Sequence, residues 1–136
     1  MIRVVCRLFA LGLIVLATGC GGADSPTPTP VDRSELLAAF AAVDEPVRLV
    51  LDLRIDPYFG VLPAIFDPAS WPDVPDPPFE IALFADAGGA RASSPKNESV
   101  AGENPEIVLH KNVELDVARS VPRERRDRLV SALMSL

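Results

Sequence analysis

The chain is poor in the side chains that most often carry chemistry. It has one histidine, two cysteines, one tryptophan and one tyrosine in 136 residues. With His110 the sole histidine, no His–His metal pair can form, and no His-Glu-x-x-His occurs. Gly-x-Ser-x-Gly and Gly-x-x-x-x-Gly-Lys-Ser/Thr are also absent, so neither a nucleophile elbow nor a phosphate loop has a basis here. Lysine and arginine are outnumbered by acids, 13 to 19, for a net charge of −6, which argues against nucleic acid as a partner. No apolar run approaches the roughly 20 residues that a permanent membrane-spanning helix needs. The sequence therefore nominates no catalytic residue, no metal ligand and no cofactor. His110, beside Lys111 after a strand, reads as an edge residue, with a ligand or acid–base role as the alternative. Asp52, Asp56, Asp67, Asp73, Asp76, Glu114 and Asp116 read as the surface of an acidic protein. Only convergence in space would turn such residues into a glycosidase pair or a calcium site.

What is present is concentrated at the start. Arg3 and Arg7 form a short basic segment, and Leu8 to Ala17 form an apolar core of about ten residues. A basic start, a short apolar core and small residues behind it describe a secretory signal. The stretch Ala17-Thr18-Gly19-Cys20 resembles the lipobox of bacterial lipoproteins. That resemblance implies diacylglycerol on the Cys20 thiol, cleavage by signal peptidase II between Gly19 and Cys20, and acylation (palmitate among the chains) of the new amino terminus. Sulfur suits the first step because the thiolate is a strong nucleophile. Two or three acyl chains hold a protein stably on a membrane, whereas one chain binds reversibly. The expected location is an extracytoplasmic face of the inner or outer membrane, with the membrane as partner through the lipid anchor.

Cleavage would leave 117 residues, and the loss of Arg3 and Arg7 moves the net charge from −6 to −8. Cys6 leaves with the signal and Cys20 is blocked by lipid, so no disulfide forms within the mature chain. Residues 20–30 then read as a tether. Glycines loosen its first half, and the Pro-Thr alternation stiffens Ser25 to Pro30 toward polyproline II. The division is 1–19 signal, 20–30 lipidated cysteine and tether, and 31–136 one small α+β domain.

Within the domain, Asp32-Arg33-Ser34-Glu35 has the form of a capping box. Leu36, Leu37, Phe40 and Val43 follow at helical spacing, and Pro46 ends the element, so a helix is expected over about 33–43. Val47, Leu49, Leu51, Leu53 and Ile55 alternate with mostly charged residues as one half-buried strand. Phe79 to Ala85 is an apolar strand, central in the sheet. Residues 86–105 form a polar loop, and the Asn97-Glu98-Ser99 glycosylation sequon within it is discounted in a bacterial lipoprotein. Ile107 to Leu109 and Val113 to Val117 are two further strands. The last helix starts at Ser120 as cap with Pro122 in its first turn, and Leu129, Val130, Leu133 and Leu136 make its apolar stripe. The expectation is a sheet of three or four strands with an N-terminal and a C-terminal helix on one face.

Two features stay open. Seven of the 14 prolines fall between Asp56 and Pro78, where they hinder a regular ladder. The same segment holds Tyr58, Phe59, Phe66 and Trp71, which either pin a long loop to the core, form a surface for an envelope protein partner, or belong to a disordered stretch. Arg123, Arg125, Arg126 and Arg128 crowd the start of the last helix, against the helix dipole. They read as a solvated face paired with the domain's acids, or as a contact for anionic headgroups.

The order helix, strands, helix also resembles the first half of a zincin-like metalloprotease. In that family a helix bearing His-Glu-x-x-His follows the small sheet, and here Arg123 to Leu136 would be the front of that helix without its motif. The resemblance implies a truncated remnant without metal ligands or protease activity. The functional expectation is a membrane-anchored extracytoplasmic lipoprotein that binds rather than catalyses, with the truncated metalloprotease as the alternative.

Overall fold

The structure, a computed structural model, describes residues 27–72, 76–93 and 105–136. The signal, Gly19, Cys20, the first part of the tether and the sequon lie outside the described residues. The elements in chain order are α1 Arg33–Ala42, β1 Val47–Leu51, β2 Arg54–Asp56, β3 Gly60–Leu62, β4 Ala64–Pro68, β5 Phe79–Leu83, α2 Ala87–Ser93, β6 Glu106–His110, β7 Val113–Val117 and α3 Arg123–Met134. β1, β4, β5, β7 and β6 form, in that order, one antiparallel sheet, and β2 and β3 pair with each other alone. The fold is α+β, a small domain with helices at both ends of the described chain. Among the described residues, no helix is long and apolar enough to cross a membrane.

α1 begins as its sequence dictates. The Asp32 carboxylate accepts from the Glu35 backbone N–H (2.9 Å), and the Glu35 carboxylate accepts from the Asp32 N–H (3.0 Å), so two orphan donors are satisfied reciprocally. A hydrogen bond from Ser34, then one from the Glu35 backbone, holds the Asp32 carboxyl below its usual range. The helix closes with Asp44 in the left-handed region at φ 62°. Asp44 N–H bonds the Ala41 carbonyl and Glu45 N–H bonds the Phe40 carbonyl, the pairing of a Schellman end.

The core lies between one sheet face and the pair α1 and α3. Leu36 and Phe40 of α1 and Leu129, Ala132 and Leu133 of α3 meet Phe66, Phe79, Ile81, Val113, Leu115 and Val117 from β4, β5 and β7. Alternation within the strands puts these residues on one side. On the other side α2 brings Ala90 against Ile65, Ala82 and Phe84. Helices therefore cover both faces, and the third helix arises inside a segment read as a loop. Its Gly88-Gly89 pair conceals it, since glycine is a poor helix former.

Three local expectations change. The proline-interrupted segment supplies β4, a strand between β1 and β5, so the main sheet has five strands. Pro63 precedes this strand and Pro68 is its last residue, positions where a missing N–H does little harm. β1 does not run straight to Ile55. Leu49 pairs with Phe66 and Leu51 with Ile65, so Val50 is one residue extra and the side chains beyond it change face. Pro122, not Ser120, occupies the cap of α3, and no side chain caps it.

Candidate functional site

The four aromatic residues singled out from the sequence do not gather into one surface. Phe66 is fully buried in β4. It belongs to the core, and its place in a partner surface is corrected, because the register that pairs it with Ile81 points it at α1 and α3. Trp71 is half-buried at the far end of the same strand. Its N–H bonds the Pro68 carbonyl, its carbonyl accepts from Arg48, and among the described residues its indole Nε1 meets no acceptor. Tyr58 and Phe59 alone are on the surface, 90% and 80% exposed.

Their exposure follows from the register. β2 and β3 continue the β1–β4 pairing. Leu51 faces Ile65, and then Arg54 faces Leu62, Ile55 faces Val61 and Asp56 faces Gly60. The four short strands are thus one two-stranded ribbon that runs past the end of the sheet. The five residues from Asp52 to Asp56 carry it out by roughly 17 Å at about 3.3 Å each.

The turn at the ribbon's end is preorganised. The Asp56 carboxylate accepts from the N–H groups of Tyr58 (2.8 Å) and Phe59 (3.0 Å), Pro57 fixes its own φ, and Gly60 takes φ 80°, which a side chain would resist. Ile55, 81% exposed, faces the exposed Val61 just behind the tip. Four large apolar side chains are therefore held out in water at one end of the ribbon.

The end of the sheet from which the ribbon leaves is also where the chain enters the domain. Asn112, buried in the β6–β7 turn, accepts from Val31 N–H (2.6 Å) and donates to the Val31 carbonyl (3.1 Å) and the Phe84 carbonyl (2.8 Å). Arg33, the first residue of α1, pairs with Asp52 at the base of the ribbon. Thr27 to Pro30 lie before this point, exposed and outside any element. The sequence gives no sign of the Asn112 clamp. A polar residue between two strands reads as a turn, and only the tertiary fold shows what it holds.

A second concentration of chemistry lies across the sheet face opposite α1 and α3. Arg48 faces Asp67, Asp67 lies beside Glu80, Glu80 faces Asp116, and Asp116 faces Ile107. Glu114 lies two residues before Asp116 on the same face. Glu114 and Asp116 are buried, and Arg48, Asp67, Glu114 and Asp116 are each engaged in a further interaction. The Glu80 carboxyl is pushed up to about 7, by burial first and then by the charges of Asp67, Asp116 and Glu114. Among the described residues, no group of three or more histidine, cysteine or acidic side chains could hold a metal ion. His110 is half-buried at the end of β6, facing Val113.

The arginines of α3 each meet a carboxylate. Arg125 grips Glu45 with two bonds of 2.8 and 2.7 Å and lies over the Phe79 ring at 5.6 Å. Arg128 adds a longer contact to Glu45 (3.4 Å), Arg126 meets Glu106 (2.9 Å), and Arg123 approaches Asp127. Burial works against the Glu45 carboxylate. The bonds and charge of Arg125, helped by Arg128, outweigh it and hold its pKa below the ordinary value. Glu106, Arg119 and Arg126 line an open depression.

No protein-family model matches the chain, and neither a curated protein nor a solved structure matches it.

Proposed function

We propose that the protein is a lipoprotein held on an extracytoplasmic membrane surface by lipidated Cys20, and that its domain acts by contact with an envelope component rather than by catalysis. The observation that carries the contact reading is the ribbon tip, where Tyr58 and Phe59 are presented to solvent on a turn fixed by Asp56. A folded chain gains nothing in its own core from two such rings, and exposed apolar clusters of this kind are sites of association. The lipobox supports the anchor. So does the position of Val31, where Asn112 begins the packed domain, eleven residues after the lipid site at Cys20. An extended leash of that length spans roughly 30 Å at about 3 Å per residue. The metalloprotease-remnant alternative has no observation of its own in the site.

Metabolic labelling with a clickable palmitate analogue tests the anchor. The full chain is expected to take up label and the Cys20→Ala variant to lose it. Equal labelling of the variant would exclude Cys20 as the lipid site.

A further inference from the structure

We infer that the β2–β3 ribbon tip is a second membrane contact, which seats Tyr58, Phe59 and the Ile55–Val61 pair at the interface of the bilayer that carries the anchor. The choice of a lipid surface as occupant rests on the proposed anchor at Cys20, and three observations support it.

The first is position. The leash enters the domain at Val31, which Asn112 ties to the end of the sheet where β5 stops and β7 starts. The ribbon leaves from that same end, after Leu51 and before Ala64, the register partner of Leu83. Arg33 and Asp52 join the start of α1 to the ribbon base directly. Leash entry and ribbon thus share one end of the domain, so an anchor at Cys20 lets the ribbon reach the same surface.

The second is shape. The end of the ribbon, from the rings at the tip to the Ile55–Val61 pair with Asp56 between them, is about 10 Å deep at roughly 3.3 Å per residue. Interfacial segments bury about 5–10 Å, into the headgroup and acyl boundary. The ribbon's inward backbone groups are engaged by β2–β3 pairing, and the Tyr58 and Phe59 N–H groups by the Asp56 carboxylate. The outward groups of a two-stranded ribbon need water or headgroups, so the contact goes no deeper than the hydrated interface.

The third is chemistry. Tyrosine suits the headgroup level, where its ring is apolar and its hydroxyl stays wet. The tip carries no lysine or arginine, its one charged side chain, Asp56, accepts from the Tyr58 and Phe59 N–H groups, Arg54 adjoins Ile55 in β2, and Arg33 and Asp52 pair at the base. For a net-acidic domain this predicts insertion that depends on apolar burial and little on headgroup charge.

The test uses the full chain, processed by its secretory host and reconstituted with vesicles of phosphatidylethanolamine and phosphatidylglycerol, with and without brominated acyl chains. Phe59→Trp places a reporter at the tip. Trp71, the sole native tryptophan, lies at the opposite end of the sheet and serves as the internal control. Bromolipid is expected to quench the added emission of Phe59→Trp and leave that of the wild type unchanged. Tyr58→Ser with Phe59→Ser should weaken vesicle partitioning of lipid-free protein about tenfold to a hundredfold.

Palmitate labelling on the same preparations separates the two readings. Label without quenching overturns the ribbon contact and leaves the anchor standing. Quenching without label overturns the anchor and leaves the ribbon contact standing. A residue 59 that is shielded from aqueous iodide but untouched by bromolipid is covered by protein, a second copy or another partner, and overturns the lipid contact.

Discussion

β7 and the ribbon tip invert the usual relation between polarity and burial. β7 reads Val-Glu-Leu-Asp-Val, and all five residues are buried, with Glu114 1% exposed. The tip reads Asp-Pro-Tyr-Phe-Gly, and its two rings are among the most exposed side chains of the domain. Topology decides the matter in both places. β7 sits between β5 and β6 with helices on both faces of the sheet, so whatever occupies its alternating positions is enclosed. The ribbon tip has left the sheet, so its rings stay exposed whatever they prefer. Burial here follows place in the sheet, and each inside polar group has to find partners that each outside apolar group does without.

Removal of those partners tests the contrast, and the largest effect belongs to Asn112. Asn112→Ala deletes three buried hydrogen bonds and strands the Val31 N–H and carbonyl and the Phe84 carbonyl, a loss of about 3 kcal/mol. Urea unfolding measures it. A midpoint within experimental scatter of the wild type would show that the clamp does not hold the N-terminal segment.

Arg125→Ala is next, at about 2 kcal/mol. It leaves Glu45 buried with only the longer Arg128 contact and removes the cation from the Phe79 ring. The loss should shrink in acid. A carboxyl whose folded pKa is depressed contributes stability above its unfolded pKa, ordinarily 4.5, and that contribution fades as pH falls through the folded value. Urea midpoints of this variant and the wild type that remain equally far apart at pH 3 and pH 7 would sink the ion-pair account.

Glu80 works in the opposite direction. Its folded pKa, about 7, lies above the ordinary 4.5. Between those values the native state holds a proton that the unfolded chain has released, so stability falls as pH rises through that window and levels off above it. The carboxyl still sees solvent, so the whole decline is about 1–2 kcal/mol. Glu80→Gln should flatten it in thermal melts taken from pH 4.5 to 7.5, and an unchanged slope would assign the titration to another group. Glu45 and Glu80 thus pull in opposite directions, the first costing stability as pH falls and the second as pH rises.

The smallest effect is expected where the side chains are most apolar. Tyr58→Ser and Phe59→Ser remove large rings yet should shift folding stability by less than about 0.5 kcal/mol, as surface changes do. A destabilisation of about 3 kcal/mol, ordinary for a buried aromatic, would mean that the tip packs on the domain.

The sequence is most readable where local rules and the tertiary fold agree. Asp32 and Glu35 announce α1, and the runs at Phe79, Ile107 and Val113 announce three strands, because capping and alternation are local properties. β4 is hidden by Pro63 and Pro68, which mark its ends rather than interrupt it. The ribbon is hidden by Val50, since one extra residue breaks an alternation that appears to the eye to continue through Ile55. The aromatic site is half legible. The density of rings between residues 58 and 79 singles out the segment that carries the exposed pair, but Phe66 and Tyr58 have the same local character. Only the pairing of Phe66 with Ile81 sends one inward and leaves the other outside. The acidic row is illegible for the same reason, because Asp67, Glu80 and Asp116 come from three strands that adjoin only in the folded sheet.

Asn112 also sets how the domain answers to mechanical force. A pull on the chain ahead of Val31 does not reach α1 first. It meets the side-chain amide that grips both backbone groups of Val31 and the carbonyl of Phe84, so the load passes into the middle of the sheet, where β5 and β7 are paired along their full length. Peeling of α1 must wait until that amide lets go. In a force ramp applied through residue 27, loss of the amide should appear as an early, low-force extension of α1 ahead of the main rupture, and Asn112 thereby acts as the domain's strain relief.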